Sequence, residues 1–456
     1  MRIGWARLKI EAFSRLLTTS GFPLHPLIRF GCAALLVTGV VSSWWASTRQ
    51  GGDFLYPYML SHSLLYGEPI YDRQWQLENI PAVTGQERPG EGFFYPAGTG
   101  FSTLPLAALP FRSAQLLWLA MLISIVLLGI RALVRVFFKR ETSATWIAIA
   151  GLVLLSASIR WGMTPLQGAP LVMGLLCLFV VCIDRDKYGA AFAITTFVLI
   201  FKFTVALPFI GLMLLLRKWR EVAAAVTIAG LAHVAGFARV GGLAAFSAYS
   251  EGIAGLEALG SINTPDPWDP MSSPRLDWTY LYTGLIGNPE VGKRLSHATT
   301  ILVAIWLWWS AWRLRDRLCR HATATFLLAL TCFGTLCVYH HHYDVSAALV
   351  PLMMLGLMHL GGIAKLPTSF WVLTGPLIVM MAVLPVATVQ RILLSVGGPT
   401  ASGYMNIAFP ISVTLALISS CLDLWRLQTG DYWEKPLSSR LADPKDREPA
   451  VFWLSV

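Results

Sequence analysis

The sequence predicts an all-α polytopic membrane protein with about 12 transmembrane helices, and three observations carry that prediction. Hydrophobic residues make up 55% of the chain and charged residues 13%, where a soluble domain has about 25% charged residues. Apolar runs long enough to cross roughly 30 Å of hydrocarbon recur along its length. Lysine and arginine collect in short clusters between those runs, which is the asymmetry that orients membrane helices.

The net charge of +10 therefore reads as membrane topology, and no nucleic-acid partner is expected. The 18 tryptophans and 23 phenylalanines suit aromatic belts at two bilayer surfaces. The seven cysteines (Cys32, Cys177, Cys182, Cys319, Cys332, Cys337 and Cys421) all lie in or beside apolar segments. That placement suggests small core residues, with neither a disulfide framework nor a zinc site.

The run over 27–47 follows a basic segment and reads as an uncleaved first helix, since it is long enough to span. Further apolar runs lie at 114–137, 144–160, 168–184, 188–217, 221–238, 296–312, 323–339, 344–362, 368–388 and 406–425. The run 188–217 is too long for one helix, so two short helices are expected, with Lys202 at the turn and Pro208 close behind. The stretch 96–111 reads as a short or re-entrant helix. Placing the basic clusters at 1–29, 131–140, 217–220 and 313–320 in the cytoplasm gives a consistent alternation with both termini inside. A single transmembrane domain then covers 1–426, with a cytoplasmic tail at 427–456. Loops 48–112 and 239–295 lie outside, each with six acidic and four basic residues.

This topology brings the unusual residues to one face. Asp53, beyond the first helix, suits a helix cap with an interfacial amphipathic helix over 54–66 behind it, or a general base at the membrane surface, or both. Phe93, Phe94, Tyr95 and Pro96 form an aromatic anchor or one wall of a lipid groove. Arg160 and Lys202 are cations at apolar helices, where a charge costs roughly 2.5–3.5 kcal/mol to insert and so has a partner or a task. His340, His341 and His342, followed by Tyr343 and Asp344, form a polar turn suited to hydrogen bonding with a sugar, a phosphate or Asp53. Adjacent histidines make a poor metal set, so no metal and no cofactor is expected. The segment 263–278 reads as an ordered loop, in which Asp266, Trp268 and Asp269 either form a turn or meet sugar hydroxyls and a pyranose face. Asp72 reads as a loop residue. Nothing resembles a nucleotide-binding glycine motif.

In order, GGDFLYPYMLSHSLLYGEPIYD, FFYPAGTGFSTLPLAALPF, LQGAPLVMGLL, LIFKFTVALPFIGLMLLLRKWR and HHHYDVSAALVPL resemble the polyprenol-phosphate-mannose-dependent mannosyltransferases, glycosyltransferase family 87 of the GT-C class. The resemblance covers roughly 50–350. It departs at Tyr95-Pro96-Ala97, where the family often has YPP, and at Leu166-Gln167-Gly168-Ala169, where it often has G-Q-x-N. The resemblance implies a GT-C-like helical bundle and a metal-independent, inverting hexose transfer from a polyprenyl phosphate to a glycolipid or glycan acceptor. The transfer would occur at the external face of the inner membrane, among its lipids. It further implies Asp53 as catalytic base, with Lys202 and Arg160 on the donor phosphate. Tyr56, Tyr95, Gln167, Trp268, His341, His342, Tyr343 and Asp344 are then the sugar- or acceptor-binding candidates. Two alternatives stay open at this point. A transporter or flippase of a lipid-linked or polar solute would show repeated halves, and a non-catalytic subunit would keep the fold with Asp53 far from Lys202.

Overall fold

The computed structural model describes residues 26–50, 52–85, 95–137, 143–255, 263–269, 272, 275–316, 318–338, 340–341, 343–360, 364, 366–382 and 386–429. His342, Phe93, Phe94, the N-terminal basic segment and the tail beyond 429 lie outside the described residues.

The described chain is helical. It runs α1 (Pro26–Gln50), α2 (Leu55–Tyr66), α3 (Arg73–Thr84), α4 (Thr99–Thr103), α5 (Phe111–Phe137) and α6 (Ser143–Leu155). Next come α7 (Ala157–Met163), α8 (Ala169–Asp184), α9 (Tyr188–Lys202), α10 (Leu207–Leu215), α11 (Trp219–Arg239) and α12 (Gly242–Gly255). The last third holds α13 (Trp278–Ile286), α14 (Pro289–Leu314), α15 (Arg320–Cys337), α16 (Leu349–Leu360), α17 (Thr368–Ala382) and α18 (Val386–Thr429). Short 3-10 turns follow α4, follow α9 and precede α16.

Among the described residues, four segments are long and apolar enough to cross a membrane: α5, Tyr188–Val205, α11 and the Gly403–Thr429 part of α18. The α6–α7 pair makes a fifth if its 66° bend lies within one span. This is an integral membrane protein, and among the described residues four or five segments meet the length criterion, so the twelve helices that the sequence suggests are not matched there. The reason is that apolar runs are not all single long helices. Residues 144–160 break at Ser156, whose backbone is extended (ψ 143°) and whose hydroxyl donates to Val153 O at 2.6 Å. The apolar α8 has 16 residues, fewer than the roughly 20 that a perpendicular span requires.

Two other readings change. The helix after Asp53 is not an interfacial amphipathic one: α2 has no polar stripe and buries Leu55, Pro57, Tyr58, Met59, Leu60, Ser61, Ser63 and Leu64. Asp72 is more than a loop residue, because its carboxylate caps α3 by accepting from Trp75 N at 2.9 Å. The stretch 96–111 is resolved as the five-residue α4 and a 3-10 turn, both too short to cross.

Close helix crossings set the frame. At the α5–α8 crossing a Cβ on Gly129 would lie 2.6 Å from Gly174 O, so both residues must be glycine for the backbones to meet this closely. At the far end of these helices Arg320 forks onto Asp184 at 2.9 and 3.1 Å and reaches Val136 O at 3.3 Å. That clamp ties α5, α8 and α15 together, while the opposite end of α8 leads into the polar cluster.

Candidate active site

Asp53 is positioned by the residue after it. Phe54 is fully buried and stacks on Phe111 (6.0 Å between centroids) and Trp118 (5.5 Å), both on α5. Trp118 in turn packs on Phe201 of α9 at 5.7 Å. One aromatic chain therefore links the start of α2, the first turns of α5 and the end of α9, and it fixes Asp53 and Lys202 relative to each other.

The loop between α7 and α8 supplies the next link. Leu166 sits in the left-handed region at φ 59°, a costly conformation for a branched residue. Several hydrogen bonds hold it there. Trp118 Nε1 donates to Leu166 O at 3.0 Å, Asp53 N to Pro165 O at 2.8 Å and Gln167 N to Gly162 O at 2.8 Å. The result projects Gln167 between two partners: its Nε2 donates to Asp53 Oδ2 and, at 3.1 Å, to Tyr343 Oη. Its Oε1 is buried and has no hydrogen-bond partner among the described residues.

Gly168 makes this approach possible, because a Cβ there would lie 2.1 Å from Phe201 Cε1. Gly168→Ala is expected to cost about 1–3 kcal/mol through overpacking against a ring wedged beside Lys202. The check is a lowered thermal midpoint accompanied by reduced turnover.

Lys202 ends α9 with its backbone out of the helical region (φ −153°, ψ 76°), followed by the 3-10 turn Phe203–Val205, so the chain breaks where the sequence placed the turn. Its Nζ donates to Asp344 Oδ1 at 2.5 Å and lies 5.6 Å from the centre of the Tyr343 ring. The other oxygen of Asp344 faces His340 Nδ1 at 3.0 Å. Asp344 and His340 are buried, at 4% and 1% side-chain exposure. The pair therefore needs the hydrogen bonds it has, since desolvated charges without them are costly. The loop 263–278 closes on the same turn. Arg275 bridges His341 by antiparallel backbone pairing, and Leu276 N donates to His340 O at 3.0 Å. Arg275 itself is buried, held by Asp277 Oδ2 at 2.8 Å and Asn263 O at 2.6 Å.

Tyr95 completes the cluster. Its backbone carbonyl accepts from Tyr71 Oη at 2.6 Å, and its ring lies 6.0 Å from that of Tyr56. Burial, then the nearby charges of Asp53 and Asp344, push its phenol well above the ordinary tyrosine range, and the neighbouring Gln167 amide offsets this in part. At neutral pH Tyr95 is therefore an uncharged hydroxyl.

The structure thus gathers Asp53, Tyr56, Tyr95, Gln167, Lys202, Tyr343 and Asp344, with His341 at their edge, its ring 5.3 Å from that of Tyr343. It does not bring Trp268 into these contacts. That indole donates to Gly284 O at 3.0 Å and packs edge-on against Tyr404 at 5.4 Å, which ties the segment 263–269 to α13 and α18. Arg160 is exposed on the short α7. The sequence places all three histidines in one polar turn and the family resemblance carries His341 and His342, whereas the described contact to Asp344 is made by His340. The i, i+4 spacing of His340 and Asp344 was the available signal. Among the described residues no three His, Cys, Asp or Glu side chains are gathered as a metal site.

A helical membrane protein with a carboxylate joined through one glutamine to a phenol, and a paired lysine beside them, has the ingredients of a transferase site. The model of glycosyltransferase family 87 matches residues 93–339, more than half of the 456 residues. The chain belongs to that family and is a membrane glycosyltransferase. Comparison with curated proteins gives no match.

Proposed function

We propose that this glycosyltransferase moves a hexose, with mannose the favoured sugar, from a polyprenyl-phosphate donor to a hydroxyl of a glycolipid or glycan, with inversion. The observation that carries the reading is the glutamine bridge. Gln167 joins Asp53 to Tyr343, and the neighbouring Asp344 holds Lys202. A base and a cation thus belong to one connected cluster, as a single displacement needs.

Asp53 accepts the proton of the acceptor hydroxyl as its oxygen attacks the anomeric carbon. The bond from that carbon to the phosphate oxygen breaks, and the polyprenyl phosphate leaves with the electron pair. An ammonium has three donors. Asp344 takes one of those on Lys202, and the others remain for the departing phosphate, whose growing charge they stabilise. Arg160, exposed beside this region, is a second phosphate partner. The buried Oε1 of Gln167 is an acceptor for a sugar or acceptor hydroxyl, since a buried acceptor of that kind is normally paired. Tyr56, Tyr95, His341, His342 and Tyr343 offer further hydrogen bonds and ring faces to a pyranose. The site lies at the external face of the inner membrane, with both termini cytoplasmic. Family membership favours this reading over a transporter.

The test is transfer from a panel of radiolabelled polyprenyl-phosphate sugars to a membrane extract by the purified protein. Label should reach a lipid or glycan product from one donor, polyprenyl-phosphate mannose first. Transfer from nucleotide sugars alone would overturn the donor assignment.

A further inference from the structure

A cavity of about 370 Å³ lies between α10, α14 and α15. Leu207 and Phe333 line the end nearer Lys202, while Arg217, Trp312 and Arg315 line the far end. The walls between are apolar, but the far end is not. Arg217 Nη2 meets Asp316 Oδ1 at 2.7 Å, and Arg315 Nε meets Asp316 Oδ2 at 3.2 Å. The Arg315 guanidinium also lies 3.6 Å from the centre of the Trp312 ring. One carboxylate thus holds two guanidiniums side by side and leaves a positive charge in excess.

We infer that this groove binds an anionic phospholipid of the leaflet opposite the Asp53–Lys202 cluster. One acyl chain runs along α10, and the headgroup phosphate sits at Arg217 and Arg315. Planar guanidiniums suit a phosphate, and basic residues at a membrane surface select anionic lipids. Tryptophan at headgroup depth belongs to the same setting. Charge complementarity also decides against the prenyl tail of a sugar donor: a hydrocarbon tail offers nothing to the two arginines, and the donor phosphate is assigned to Lys202. The inference stands apart from the proposed reaction, because it is read from lipid retention and not from turnover.

The experiment is native mass spectrometry of the purified full chain, incubated with phosphatidylglycerol or with phosphatidylcholine of the same acyl chains. The native protein should retain phosphatidylglycerol, and R217Q/R315Q should hold it roughly thirty-fold less tightly. Ala304→Trp, at an exposed position lining the groove, should also release the lipid with both arginines intact, and it serves as the test should the arginine variant fail to fold. Equal retention of the two lipids would overturn the assignment. So would native-like retention by a folded variant, or displacement of the phospholipid by polyprenyl phosphate at equal concentration.

Discussion

Asp53→Asn is expected to lower transfer by about 10²–10⁴-fold, the range that a positioned general base contributes, while leaving the protein folded. The reason it should fold lies in the hydrogen bond that Asp53 accepts. Gln167 Nε2 donates to Oδ2, and an asparagine turned with its oxygen toward Gln167 still accepts that bond. The backbone anchor of Asp53 N on Pro165 O at 2.8 Å and the stacking of Phe54 are untouched. What asparagine cannot do is take a proton from the acceptor hydroxyl. Turnover of purified native and variant protein with a labelled donor measures the first effect, and the thermal midpoint measures the second. An asparagine variant that turns over at near-native rate would remove Asp53 from the reaction.

The site is assembled from parts that sequence comparison treats unequally. The matched stretch 93–339 contains Tyr95, Gln167 and Lys202 but ends before His340 and begins after Asp53. Folding joins these parts through Gln167, and the join depends on tight fits: Gly168 against Phe201, and a left-handed Leu166 fixed by Trp118.

Some of this was legible in the residues. The break at Lys202 follows from a cation inside an apolar run with a proline behind it, and the structure bends there. The alternation of basic clusters sorts residues by face before any contact is known; it groups Asp53, Tyr95, Gln167, Lys202, Tyr343 and Asp344, which the structure gathers, but equally Arg160 and Trp268, which make none of these contacts. Other features had no local signature. The fate of Trp268 was decided by Gly284 and Tyr404, 16 and 136 residues away, and apolar composition alone does not tell an indole that packs from one that awaits a sugar. An interfacial helix over 54–66 is the expectation from a carboxylate just beyond the first apolar run. Tyr58, however, donates to Leu109 O at 2.8 Å, and Ser61 donates to Gly100 O at 2.7 Å. Those polar groups serve a buried helix packed on α4. The helix count is not matched among the described residues for a related reason: hydropathy counts apolar runs, whereas Ser156 divides the run 144–160 into pieces.

Breaking the Lys202–Asp344 pair should separate its two roles. Lys202→Met is expected to destabilise the protein by about 3–5 kcal/mol, because it strands a buried carboxylate. The exposures of 13% for Lys202 and 4% for Asp344 leave little water to compensate, although His340 remains as a partner at 3.0 Å. Lys202→Met combined with Asp344→Asn removes both charges and keeps the shape, so most of the lost stability should return. Activity should not return with it, because the ammonium that would meet the departing phosphate is still missing. The double variant is therefore the decisive one. Recovery of the thermal midpoint with turnover still depressed at least tenfold supports a direct role for Lys202 in stabilising the leaving group. Recovery of both would reduce the pair to a brace between α9 and the turn before α16, and the leaving phosphate would then have to be stabilised by Arg160 or by the hydroxyls of Tyr95 and Tyr343.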